Sequence, residues 1–134
     1  TWSQMEEVYQ QVRKVVKSRP RTICMTHVSH MYPQGANLYF IFIDKINKIN
    51  EYLDLQYSIL EAIQKSGAAM SHHHGVGKQT APWLEEQIGK SAMDVIRVLK
   101  THFDPNNIMN PGGTLGLDLS DEQRSKNWSK NLEV

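Results

Sequence analysis

The run Thr22-Ile23-Cys24-Met25-Thr26-His27-Val28-Ser29, followed by Met31-Tyr32-Pro33-Gln34-Gly35 and then by Asn37-Leu38-Tyr39-Phe40-Ile41-Phe42-Ile43-Asp44, decides the fold class. β-Branched, aromatic and apolar residues crowd both ends, a composition that suits pleated, half-buried backbone. Proline and glycine between them bend the chain. The stretch therefore reads as two strands joined by a loop of moderate length, a hairpin.

Upstream, Met5, Val8, Tyr9, Val12 and Val16 recur at helical spacing and predict an amphipathic helix over about 3–18, ended by Ser18-Arg19-Pro20. Downstream, Tyr52, Leu55, Ile59 and Ile63 predict a helix over about 48–66, with Gly67 suited to its C-terminal cap. A short strand is expected at Ala68 to Ser71, then a loop from His72 to Gln79. Thr80 is placed to cap a short helix with Pro82 in its first turn. Ala92, Val95, Ile96, Leu99 and Phe103 form a second helical stripe. Lys100 and His102 complement the dipole at its end, and Asp104-Pro105 stops it. From Leu119 the chain is polar and reads as a loose tail or a short surface helix. Helix, strand, strand, helix, short strand is the order of a split βαβ unit without its first strand. The expected fold is thus α+β: an incomplete, ferredoxin-like split βαβ with antiparallel strands, followed by C-terminal helices. The chain is expected to begin inside a domain.

Bulk properties narrow the function classes. The 134 residues suit one small domain, 40% are hydrophobic and 22% charged. A net charge of +1 gives no basic footprint for nucleic acid. The single cysteine, Cys24, excludes an internal disulfide framework and sits in an apolar run, as a buried structural thiol would. No apolar stretch reaches the ~20 residues of a membrane span. The chain opens Thr-Trp-Ser without an initiator methionine, so a processed or truncated product is expected. Asn-Leu-Glu-Val at the end matches no retention or peroxisomal address.

Chemistry concentrates in Ser71-His72-His73-His74-Gly75-Val76-Gly77-Lys78. Consecutive imidazoles can donate, accept, bind metal or exchange protons near neutrality, and the glycines let backbone approach a ligand. In extended backbone His72 and His74 would face one way and His73 the other. The competing reading is a surface histidine cluster. The loop is neither a P-loop, since His72 and Gln79 stand where glycine and Ser/Thr are needed, nor a G-x-G-x-x-G fingerprint, since Thr80 replaces its last glycine. No metal site is expected: His27 and His30, three apart in a strand, should point to opposite faces and make poor co-ligands. Tyr39 is either a core aromatic or a proton donor reaching a pocket. The run from Phe103 to Gly113 is either a helix stop followed by turns or a return of the chain that presents the Asn110 amide.

These motifs carry a resemblance. The histidine run, the Trp83-Leu84 that follows it, Asp104-Pro105-Asn106-Asn107-Ile108 and Gly35-Ala36-Asn37-Leu38-Tyr39-Phe40 resemble the alkyldihydroxyacetonephosphate synthase branch of the FAD-linked oxidase family. The likeness covers roughly residues 20–117. It implies FAD held mainly by an upstream domain of the same protein. Residues 1–79 would then be part of a substrate-binding cap, 80–117 helices returning towards the FAD domain, and 118–134 a polar tail. It also implies exchange of the acyl group of acyl-dihydroxyacetonephosphate for a fatty alcohol, which makes the ether bond of ether lipids. Tyr39, His72, His73 and His74 match the catalytic positions, and His74 and Asn110 would face the cofactor. Such an enzyme leaves room for a homodimer and a peripheral membrane contact, in the cytoplasm of a bacterium or the peroxisome of a eukaryote. The Asn110-Pro111-Gly112 ending is nearer the D-lactate and glycolate oxidase branch, so an FAD-linked 2-hydroxyacid dehydrogenase is the alternative. The oxidase branch, however, carries an acidic residue where His73 stands. A non-catalytic α+β binding module is the third reading.

Overall fold

The computed structural model describes residues 1–113 and 115–117, which fall into two compact units, Thr1–His72 and the residues from His73 onward. The fold is α+β. In the first unit a 3-10 turn (Trp2–Gln4) leads into α1 (Met5–Lys17), β1 (Ile23–Tyr32), β2 (Gly35–Ile43) and α2 (Ile49–Lys65). The second holds α3 (Ala81–Ile88) and α4 (Lys90–Phe103). The polar tail expected from 118 lies outside the described residues. No described helix is long and apolar enough to cross a membrane.

The helical spacing read from the sequence is the buried stripe of the first unit. Val8, Val12 and Val16 of α1 meet Leu55, Ile59 and Ala62 of α2, and Cys24, Leu38, Phe40 and Phe42 of the hairpin pack against them. Val12 and Val16 are wholly buried. Fully burying such a side chain stabilises by about 1.5–3 kcal/mol, so this stripe seats the sheet on its helices. Cys24 packs against that core half-buried, less enclosed than the buried thiol expected. Arg19 ties the ends together, pairing with Asp44 after β2 and with Glu51 of α2 at 3.2 Å.

The hairpin is longer and tighter than its sequence suggests. Its strands absorb Met31, Tyr32, Gly35 and Ala36, leaving Pro33-Gln34 as the turn. Antiparallel pairing runs from Ile23↔Ile43 to Ser29↔Asn37 and resumes at Tyr32↔Gly35. His30 and Met31 thus stand against Ala36 alone, a β-bulge, with His30 at φ 51°. Histidine tolerates that left-handed conformation better than most residues. Gly35 has a different reason for lacking a side chain: an added Cβ would lie 2.9 Å from the Cα of Thr1. Bonds from Trp2 N–H to the Gln34 carbonyl (3.2 Å) and from Trp2 Nε1 to the Tyr32 carbonyl (3.0 Å) hold that close approach.

Two expectations need correction. Ala68 to Ser71 does not form a strand; among the described residues the sheet has two strands. A four-residue segment gains ladder bonds only from a neighbour, and β2 pairs with β1 alone. Thr80 makes no side-chain cap; its carbonyl instead accepts from Trp83 N–H at 3.1 Å. The α4 stripe forms a helix but stays largely open, with Val95, Leu99 and Phe103 each more than half exposed. The second unit's core is Ala81, Trp83 and Leu84 of α3 with Met93 of α4.

Candidate functional site

In the first unit the site begins at the cross-strand pair His27↔Tyr39. Both side chains leave the face opposite Phe40, and their rings stack in parallel, centroids 4.9 Å apart and planes within 5°. The bulge adds His30, tilted against Tyr39 at 5.8 Å and against His72 at 4.9 Å. His72 Nε2 in turn shares a hydrogen bond of 3.1 Å with the Tyr32 hydroxyl. Tyr39 and His72, both singled out from sequence, are therefore joined through a residue that sequence reasoning set aside. The expectation that His27 and His30 point to opposite faces fails because the bulge interrupts strand alternation: both reach the ring of Tyr39. Tyr39 is half-buried and His72 half-buried, so each keeps an edge towards solvent.

The second unit carries His73 and His74, both exposed, with rings edge-to-face at 4.5 Å. His73 sits at φ 52° and Gly75 at φ 73°. The backbone is thus not extended at His73, and the simple alternation of the three imidazoles does not apply. Asn110 lies at φ 51° on an exposed loop, its amide packed against the backbone of Gly113.

That loop is organised by Asp104, which is buried. Its carboxylate accepts the N–H groups of Ile108 and Met109, each at 2.9 Å, and pairs with Lys100 one turn earlier. Lys100 also donates to the Met109 carbonyl at 3.0 Å. The Lys100 ammonium holds the Asp104 carboxyl below its ordinary range; burial opposes this, and the two N–H bonds reinforce it. Sequence reading took Asp104 for a helix stop and Lys100 for a dipole partner. The i,i+4 spacing of the two was the available signal. His27, His30 and Tyr32 were also missed as members of the site, and a one-residue bulge leaves no composition signal.

The model of the FAD linked oxidases, C-terminal domain, matches residues 1–114. The chain belongs to that family. This FAD-linked oxidase C-terminal domain is 39% identical over 95 residues to an alkyldihydroxyacetonephosphate synthase of Dictyostelium discoideum, covering 69% of the chain and 15% of the relative. It is 34% identical over 123 residues to the uncharacterized FAD-linked oxidoreductase YgcU of Escherichia coli, covering 83% of the chain and 25% of the relative. Against the glycolate oxidase subunit GlcD of Bacillus subtilis it is 33% identical, covering 62% and 18%. The domain thus spans a quarter or less of these relatives. No solved structure matches it. FAD is the cofactor of the family, and the exposed imidazole of His74 and amide of Asn110 are groups able to meet the hydrogen-bonding rim of a flavin.

Proposed function

We propose that this chain is the cap and C-terminal portion of an FAD-dependent enzyme of the alkyldihydroxyacetonephosphate synthase type, acting with an upstream FAD-binding domain of the same protein. The ring series His27, Tyr39, His30, His72 carries the reading, together with identity to synthases in two organisms. Bound FAD would supply the reactive ring system, held in part by His74 and Asn110. The chain's own residues would supply position and protons. Tyr39, its ring in contact with the imidazoles of His27 and His30, would offer its hydroxyl for proton transfer at the substrate carbon. His72, oriented by Tyr32, offers a second proton-exchanging group, and His73 and His74 add donors for the dihydroxyacetone oxygens. The acyl group of acyl-dihydroxyacetonephosphate would leave and a fatty alcohol take its place.

The glycolate oxidase relative supports a second reading, oxidation of a 2-hydroxyacid. Flavin absorbance of the protein carrying both domains separates the two. A spectrum perturbed by acyl-dihydroxyacetonephosphate, with the response lost in Tyr39→Phe and the resting spectrum unchanged, is the expected result. Bleaching by D-lactate or glycolate would replace the synthase with the dehydrogenase. A protein without flavin would end both.

A further inference from the structure

The described part of the second unit carries Lys78, Lys90, Arg97 and Lys100 as its lysines and arginines. The last three are already matched by carboxylates. Lys90 pairs with Asp94 at 2.6 Å, Arg97 with Glu85 and with Asp94, and Lys100 with the buried Asp104. Lys78 differs: it makes no hydrogen bond or ion pair with any described residue. Its backbone is nonetheless held. The Gly77 carbonyl accepts the N–H groups of Thr80 at 3.2 Å and Ala81 at 3.0 Å, which closes a turn around it. Its side chain, although exposed, lies across the 110–113 loop. A Cβ added at Gly112 would stand 3.7 Å from Lys78 Nζ and 3.8 Å from its Cε. A Cβ added at Gly113 would stand 2.7 Å from Asn110 Oδ1 and 2.9 Å from its Nδ2. Two adjacent glycines thus leave room for an ammonium and an amide on one stretch of backbone, itself closed by a bond of 3.1 Å from Gly113 N–H to the Asn110 carbonyl.

We propose that Lys78 is the anchor for a phosphate monoester and sets the preference of the enzyme for a phosphorylated substrate. The inference rests on the synthase reading and deepens it. That reading gives the reacting carbon to Tyr39 and the dihydroxyacetone oxygens to imidazoles, and it leaves the phosphate of the substrate without a partner. A phosphate taken out of water needs a cation and N–H donors in place of its hydration. Lys78 supplies both, a charge that no carboxylate of the described chain neutralises and three donors on a flexible stem. His73 and His74, earlier in the same loop, do not replace it, because an ordinary imidazole is mostly neutral at pH 7. The ligand class follows from charge. A phosphate monoester carries about −1.5 to −2 at neutrality, whereas the carboxylate of a 2-hydroxyacid carries one negative charge, so its attraction to the same ammonium at the same distance is weaker. The position of Lys78 beside Asn110 puts this anchor on the loop that also carries the amide assigned to the flavin.

The test uses the protein carrying this chain together with its FAD-binding domain, flavin bound. Calorimetric titrations with dihydroxyacetone phosphate and with glycolate compare the unsubstituted protein with Lys78→Gln, Lys78→Arg and Lys90→Gln. Expected in Lys78→Gln is a dissociation constant for dihydroxyacetone phosphate raised by about tenfold to a hundredfold, with the resting flavin spectrum unchanged. Lys78→Arg keeps the charge and should recover most of the affinity. Lys90→Gln removes the same charge from an exposed pair elsewhere in the unit and should leave binding as it was. An unchanged affinity in Lys78→Gln, or an equal loss in Lys90→Gln, would overturn the proposal. So would loss of flavin from Lys78→Gln, which would give the ammonium to the cofactor, or an equal weakening of glycolate, which would remove the preference for phosphate. Failure of the synthase reading shows separately, before any substitution, as an unsubstituted protein that binds glycolate and not dihydroxyacetone phosphate.

Discussion

The hairpin and the 104–113 loop hold candidate site residues by different means. On the hairpin, Tyr39 rides on paired backbone whose other face is seated on the α1/α2 core, and neighbouring rings fix its plane. On the loop, Asn110 depends on one carboxylate that gathers two N–H groups and an ammonium. The first arrangement spreads its support over apolar burial, which is indifferent to pH. The second concentrates it in a titratable group. A position held by packing tolerates changes in solution conditions, whereas a position held by one charge answers to them.

The largest effect should come from cutting the support of the hairpin. Leu55→Ala removes a buried side chain from the α1/α2 seam and should destabilise the first unit by about 3 kcal/mol in urea unfolding. If the comparison holds, amides of Ile108 and Met109 exchange as before in that variant. Next is Asp104. Its carboxyl is depressed in the folded chain, so its contribution is present above the unfolded value of about 3.9 and is lost as pH falls through the lower folded value. Exchange protection of the Ile108 and Met109 amides should fall across that acid window. In Asp104→Asn, where the amide keeps one acceptor oxygen, Met109 should be unprotected at all pH values and the acid step should vanish. An unchanged acid step in this variant would move the control of the loop elsewhere. The smallest effect is Tyr32→Phe. Losing an exposed hydroxyl bond should cost about 0.5–1 kcal/mol at most, but the nitrogen chemical shifts of His72 should report a changed tautomer balance.

What could be read from sequence follows from what is periodic. The valines of α1 and the Leu55, Ile59 spacing of α2 announce their helices, and the apolar run from Leu38 to Ile43 announces a strand, because burial imposes those periods. Tyr39 and His72 stood out for their chemistry. The link between them did not, since it depends on a break in the period at Ser29/Tyr32. Ala68 to Ser71 has strand composition but takes its state from its neighbours. The α4 stripe has the correct spacing, yet Val95, Leu99 and Phe103 remain open among the described residues. Periodicity identifies an apolar face without naming what covers it.

The bulge also bears on how the hairpin tolerates insertion and deletion. Side chains on a strand follow an odd-even rule, and one additional residue reverses the parity for everything beyond it. Deleting a single residue between Ser29 and Tyr32 would restore simple alternation and withdraw an imidazole from Tyr39. Adding one elsewhere along β1 would turn His27 from Tyr39 towards the helices. Length between Ile23 and Gly35 is therefore a constraint in its own right, and homologues of different length there should be sorted by parity before their histidines are aligned.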